Sequence, residues 1–198
     1  MWADRYLAWD TETTGLGTSA RIIELGCVLY EQGAAVSEWS TRLNPPGVDW
    51  SDPRVLEALS VNGLTPEDLE GSPTFEEAYD DIRQVMRQSD VWVAHNSDFD
   101  ARMLRQELGH LGDYALSNLP RWMLCTRYLA TEFVRLRNYK LETVAQHWAV
   151  TQPSAHRAVV DARTCGDVLL AMFWDAYLPI DDEEMGKLYR HVSSKYRR

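Results

Sequence analysis

The 198-residue chain has little cysteine, no long apolar run and a deficit of positive charge, and each shortage removes a class of protein. Cys27, Cys125 and Cys165 are odd in number, unpaired in spacing and set in apolar surroundings, which excludes a disulfide framework. They read as reduced core thiols and point to a reducing, cytoplasmic compartment. No apolar stretch is long enough to span a bilayer, and Met1-Trp2-Ala3-Asp4-Arg5 does not resemble a secretory leader, so no membrane partner is expected. Lys and Arg total 20 against 30 Asp and Glu, a formal net charge of −10. That balance excludes the simplest nucleic-acid binder, one that grips a long duplex through a basic face. One basic cluster exists, Lys187, Arg190, Lys195, Arg197 and Arg198, behind the acidic Asp181-Asp182-Glu183-Glu184. It reads as a solvated helical or frayed C-terminal tail over 179–198, with a nucleic-acid contact as the alternative.

What the chain does contain is ordinary for one α/β domain with a full core: 45% hydrophobic and 25% charged residues, with no internal repeat. The main domain is expected over 1–178. Strands are read at Tyr6 to Asp10, Arg21 to Tyr30 and Ala35 to Leu43, an antiparallel meander turning at Gln32-Gly33. Val91-Trp92-Val93-Ala94 adds an inner strand and Trp122-Met123-Leu124-Cys125 a fifth. Helices are read at Thr74 to Gln88, behind a Thr74/Glu77 capping box, then at Phe99 to Leu108, Thr126 to Phe133, Leu141 to Trp148 and Ala158 to Tyr177. Asn44-Pro45-Pro46-Gly47 opens a loop whose Trp50 is either a packing anchor or a base-stacking platform.

Three segments carry the chemistry. In Asp10-Thr11-Glu12-Thr13-Thr14-Gly15, a strand runs into two acids spaced two apart, which places both side chains on one face at its carboxyl end. Ligands gather there in open α/β sheets. In His95-Asn96-Ser97-Asp98-Phe99-Asp100, Ser97 or Asp98 caps a helix and Asp100 lies in its first turn. In His156-Arg157-Ala158-Val159-Val160-Asp161, Asp161 heads an apolar helical stripe, a costly position for a carboxylate that lacks a partner or a metal. Each segment alone also has an ordinary reading: turn acids after a strand, an acid complementing a helix dipole, a surface histidine.

The order of these three motifs resembles the DEDDh branch of the DnaQ-like 3′-to-5′ exonucleases, including the exonuclease domain of the DNA polymerase III epsilon subunit. The resemblance runs from about Tyr6 to Phe173 and takes in Asn62-Gly63-Leu64-Thr65 and Tyr139-Lys140-Leu141-Glu142-Thr143 as connecting elements. It implies a ribonuclease H-like mixed central sheet flanked by helices. It makes Asp10, Glu12, Asp100 and Asp161 the metal ligands and His156 the general base. Leu16 is implied as a wedge against terminal bases and Thr13 as a backbone contact to the 3′ nucleotide. His95, at a strand end, reads as a packed or hydrogen-bonded histidine rather than a base, with a supporting substrate-side role at most. Asp98 is the decoy acid.

Hard cations such as Mg²⁺ or Mn²⁺ suit three Asp and one Glu, and two of them about 4 Å apart can stabilise both oxygens of an in-line displacement at phosphorus. An ordinary imidazole can accept a proton near pH 7. The expected substrate is nucleic acid with a free 3′ end, single-stranded or frayed, because a net acidic enzyme gripping few nucleotides needs little basic surface. DNA is favoured over RNA, although no motif exposes a contact to a 2′-OH. The alternatives are an exoribonuclease, or a binding or regulatory module acting through a partner. A polymerase or repair partner is compatible with the short chain beyond Phe173, as is a free-standing enzyme.

Overall fold

Alternation along the first strand sorts the molecule into two layers of core. In the computed structural model, which describes residues 5–112, 122–153 and 156–175, β1 spans Arg5–Thr13, β2 Ile22–Glu31, β3 Ala34–Arg42, β4 Val91–Ala94 and β5 Trp122–Cys125. The expected tail over 179–198 and its basic cluster lie outside the described residues, and the helix read to Tyr177 ends earlier, at Trp174, with Asp175 already extended. The sheet order is β3-β2-β1-β4-β5, with β1 to β3 antiparallel and β4 and β5 joined in parallel. This is the mixed sheet expected from the sequence. Gln32 and Gly33 both take positive φ, 50° and 80°, which matches a two-residue turn to the twist of its hairpin.

Helices cover both faces: α1 (Pro53–Val61), α2 (Tyr79–Met86), α3 (Ser97–His110), α4 (Thr126–Phe133), α5 (Leu141–His147) and α6 (Ala158–Trp174). Leu7, Trp9, Leu25 and Cys27 bury one face against Ile82 and Met86 of α2 and Ala101, Leu104 and Leu108 of α3. Tyr6, Ala8, Val28 and Tyr30 bury the other against α4, α5 and α6. All three cysteines are buried and free. No helix among the described residues is long and apolar enough to cross a membrane.

Three departures from the sequence reading have local causes. β1 continues to Thr13 because its pairing with β2 persists to a bulge between Glu12 and Thr13, so Glu12 stands on the strand itself. Asp52 caps and Pro53 opens α1, a helix where a loop was expected. Trp50 in that segment packs on the small core of Ile23, Leu59, Leu64 and Leu69, which selects the packing reading. The Thr74/Glu77 box forms, with Thr74 N–H and Oγ1 donating to Glu77, but it closes one separate turn and α2 begins only at Tyr79.

α6 lies unusually close to the sheet. A Cβ on Gly26 would stand 2.2 Å from the backbone nitrogen of Val159, and one on Gly166 would stand 2.2 Å from the ring of Tyr30. Tyr6 and Tyr30 tie the same helix down by donating to the carbonyls of Gly166 and Arg163. Glycine at these two positions sets how near the helix, and its first-turn acid, can come to β1.

Candidate active site

Past Tyr6 and Ala8, the face of β1 that meets α6 ends in Asp10 and Glu12, which pair across β2 with Gly26 and Glu24. The first turn of α6 supplies Asp161 to the same place. A carboxylate oxygen of Glu12, one of Asp161 and a ring nitrogen of His156 all lie within 4.8 Å of one another. Glu12 and Asp161 are buried and His156 is exposed, so the cluster opens to solvent on the histidine side. Asp161 is held by two donors: Gln152 Nε2 to Oδ1, and the backbone N–H of His156 to Oδ2 at 3.0 Å.

Asp100, buried in the first turn of α3, reaches the same strand end by another route. Its Oδ1 accepts from the N–H of Thr11 at 3.1 Å and from Thr11 Oγ1 at 2.8 Å, fixing it to the residue between Asp10 and Glu12. Asp10 and Asp100 thus adjoin the group formed by Glu12, His156 and Asp161. The cap of α3 differs from expectation: Asn96 occupies the cap position in a left-handed conformation, φ 69°, in place of Ser97 or Asp98. Asparagine tolerates that region, which frees the helix to begin at Ser97 and turns Asp100 inward. Asp98 is exposed and takes no part in the acidic group.

The acids resist ionising together. Burial first, then the charges of Asp100, Glu12 and Asp161, hold Asp10 well above the usual carboxylate range. Burial, with Asp161, Glu24 and Asp100 adding repulsion, raises Glu12 to about 8, while Arg157 opposes the rise. Burial raises Asp100 to about 7 against the pull of its Thr11 bonds. Asp161 is also raised by burial, and the Gln152 and His156 bonds offset part of it. Oxygen donors packed this closely, with so little positive charge of their own, fit a divalent cation: a bound ion would favour the ionised forms that burial and repulsion disfavour.

The other expected site residues separate by role. Leu16 is 80% exposed on the loop after β1, and Arg102 donates to the carbonyls of Leu16 and Gly17 while stacking on Phe99. Thr13 is buried, its carbonyl accepting from Asn62 Nδ2 at 3.1 Å. His95 is the hydrogen-bonded histidine that its place at a strand end suggested. Its Nε2 meets the carbonyl of Tyr139 at 2.9 Å, so that nitrogen carries the proton, and its Nδ1 accepts from Thr126 Oγ1 at 2.9 Å. With both nitrogens engaged and burial lowering its pKa to about 4, His95 is a neutral strut between the end of β4 and α4.

Sequence reasoning missed Thr11, Gln152, Glu24 and Arg157. Thr11 and Gln152 carry no signal beyond position. Glu24 does: it is an acid inside the apolar run Ile22-Ile23-Glu24-Leu25, 1% exposed, and a buried charge requires a partner. The partner is Arg157, whose Nη2 lies 2.9 Å from Glu24 Oε1. His156 itself has φ 64°, a left-handed conformation that costs a non-glycine residue on the order of 1 kcal/mol.

The exonuclease family RNase_T matches residues 7–169, which include all five expected chemical positions. The DNA polymerase III epsilon subunit of Treponema pallidum is 30% identical over 168 residues, covering 84% of this chain and 75% of that protein. A PolC-type DNA polymerase III of Clostridium perfringens is 29% identical over 174 residues, covering 86% of this chain; the chain spans only 11% of that relative's length. Among solved structures, Exonuclease X in complex with 5′ overhanging duplex DNA has the same fold, with a TM-score of 0.66 and 23% identity, covering 93% of this chain and 98% of that one.

Proposed function

The chain belongs to the RNase_T exonuclease family, within the DnaQ-like exonucleases that its motifs resemble, and from that premise we propose that it removes nucleotides from the 3′ end of single-stranded or frayed DNA. The observation that carries the reading is the approach of Glu12, Asp161 and a ring nitrogen of His156 to within 4.8 Å, with Asp10 and Asp100 beside them. In this reading Asp10, Glu12, Asp100 and Asp161 hold two divalent ions, Mg²⁺ or Mn²⁺. Such ions, when bound, supply charge that stabilises the attacking and leaving oxygens.

The chain's own residues do the rest. His156, on the solvent side of the cluster, accepts the proton of the water that attacks phosphorus; the 3′ oxygen of the neighbouring nucleotide leaves, and a nucleotide with a 5′ phosphate is released. Asp161 orients the segment by accepting the His156 N–H. Leu16, exposed on a loop that Arg102 clamps to α3, packs against the terminal base. The domain expected over 1–178 serves as a free-standing nuclease or as a polymerase or repair accessory; the two relatives named above are a DNA polymerase III and a DNA polymerase III subunit.

The test is digestion of 5′-labelled oligonucleotides with Mg²⁺: single-stranded DNA, duplex DNA with a mismatched 3′ end, and RNA. Stepwise shortening of both DNA substrates, faster than of RNA, is expected. Internal cuts in a circular single strand would exclude exonuclease action, and preferred RNA digestion would reverse the substrate assignment.

A further inference from the structure

What holds His156 over the acids is more than its own N–H bond to Asp161. Its side chain is exposed, its backbone is left-handed at φ 64°, and it precedes α6 rather than lying within it. The further restraint lies in the next two residues. Arg157 Nε donates to both Glu24 oxygens at 3.2 and 3.3 Å, and Nη2 donates to Oε1 at 2.9 Å. The backbone N–H of Ala158 donates to Oε2 of the same carboxylate at 3.2 Å. Arg157 stands at the cap of α6 without a side-chain cap bond of its own, so Glu24, from the neighbouring strand, caps this helix for it. Two residues along β2 on the same face, Gly26 makes the room that lets Val159 sit against the strand.

Resting on the exonuclease reading above, we infer that the Glu24–Arg157 pair is a positioning device: it fixes the 156–158 backbone so that the strained His156 presents its ring to Glu12 and Asp161. Glu24 is rigid because it is buried on a strand paired on both sides, and the guanidinium fork adds direction that a point charge lacks. The pair acts through His156. Arg157 is 42% exposed, so the competing role is a direct grip on a substrate phosphate, and the two make different predictions.

The experiment is a double-mutant cycle on the full chain with Mg²⁺ and a single-stranded DNA substrate. Arg157→Lys keeps the charge opposite Glu24 but loses the fork, and Glu24→Gln keeps the volume and the acceptor for Ala158. Each should lower kcat by roughly 10-fold or more, with KM changed less than about threefold, since displacement of a reacting group by about an ångström costs rate rather than binding. In the His156→Ala background the same changes should cost nothing further. As a readout independent of turnover, the His156 ring-proton resonance in the metal-free protein, assigned by its loss in His156→Ala, should move in both variants toward that of a free imidazole. An equal loss of kcat in both backgrounds, a rise in KM at constant kcat, or an unmoved resonance overturns the positioning role. If His156→Ala alone leaves kcat unchanged, the base assignment fails, and the resonance still decides whether the pair holds the ring.

Discussion

In the metal-free protein, stability should fall as pH rises from about 5.5 to about 7.5, the reverse of what a paired surface carboxylate would produce. Glu12 is raised from 4.5 to about 8 and Asp100 from 3.8 to about 7, with burial the largest cause of each. In the unfolded chain both groups are mostly ionised at pH 5.5, whereas the folded protein still holds protons on them. The native state therefore binds more protons than the unfolded state across this window, and each rise in pH favours unfolding. One proton retained over about two pH units corresponds to roughly 3 kcal/mol, or about 6–12 °C in Tm for a chain of this size.

The assay is thermal unfolding in excess chelator across that range, repeated with Mg²⁺. The metal requires ionised ligands, so its stabilisation should grow with pH, and binding at about pH 7 should release protons detectable by calorimetry in buffers of different ionisation enthalpy. A Tm in chelator that is flat or rises with pH would refute the account of repelling, partly protonated acids. An Mg²⁺ effect equally large at both ends of the range would break the link between that repulsion and the metal.

Other perturbations address single residues. His156→Ala should lower kcat by roughly 10²-fold, while calorimetric Mg²⁺ binding survives because the four carboxylates remain. Asp100→Asn should eliminate activity and Asp98→Asn should leave it within about twofold, since Asp98 is exposed and outside the acidic group. Equal losses from the two would overturn the assignment of the second motif. Gly26→Ala places a Cβ 2.2 Å from Val159 N, so it should destabilise the fold by about 1–3 kcal/mol and reduce kcat as α6 is pushed from β1. An unaltered Tm would show that α6 can move freely.

How much of this was legible depended on whether a residue's task is set by neighbours in sequence or in space. Apolar runs bounded by turn residues placed β1 to β5 along the chain, and the acids spaced two apart on β1 had to share a face wherever the strand went. Asp161 was legible for a physical reason as well: a carboxylate heading a buried helical stripe must be compensated. By the same reasoning Glu24, enclosed by Ile22, Ile23 and Leu25, was a visible anomaly, but its partner Arg157 lies 133 residues away and no local pattern links them. His95 repeats the pattern. Its place at the end of β4 suggested a packed or hydrogen-bonded ring, but the partners that engage both nitrogens, the Thr126 hydroxyl and the Tyr139 carbonyl, come from other segments. Sequence motifs thus identify which groups meet at the strand ends, while tertiary partners determine which of those groups face the cleft. Two histidines, each standing at the head of an acidic motif, receive opposite tasks: His95 is neutral with both ring nitrogens bonded, and His156 is held open to solvent beside Glu12 and Asp161.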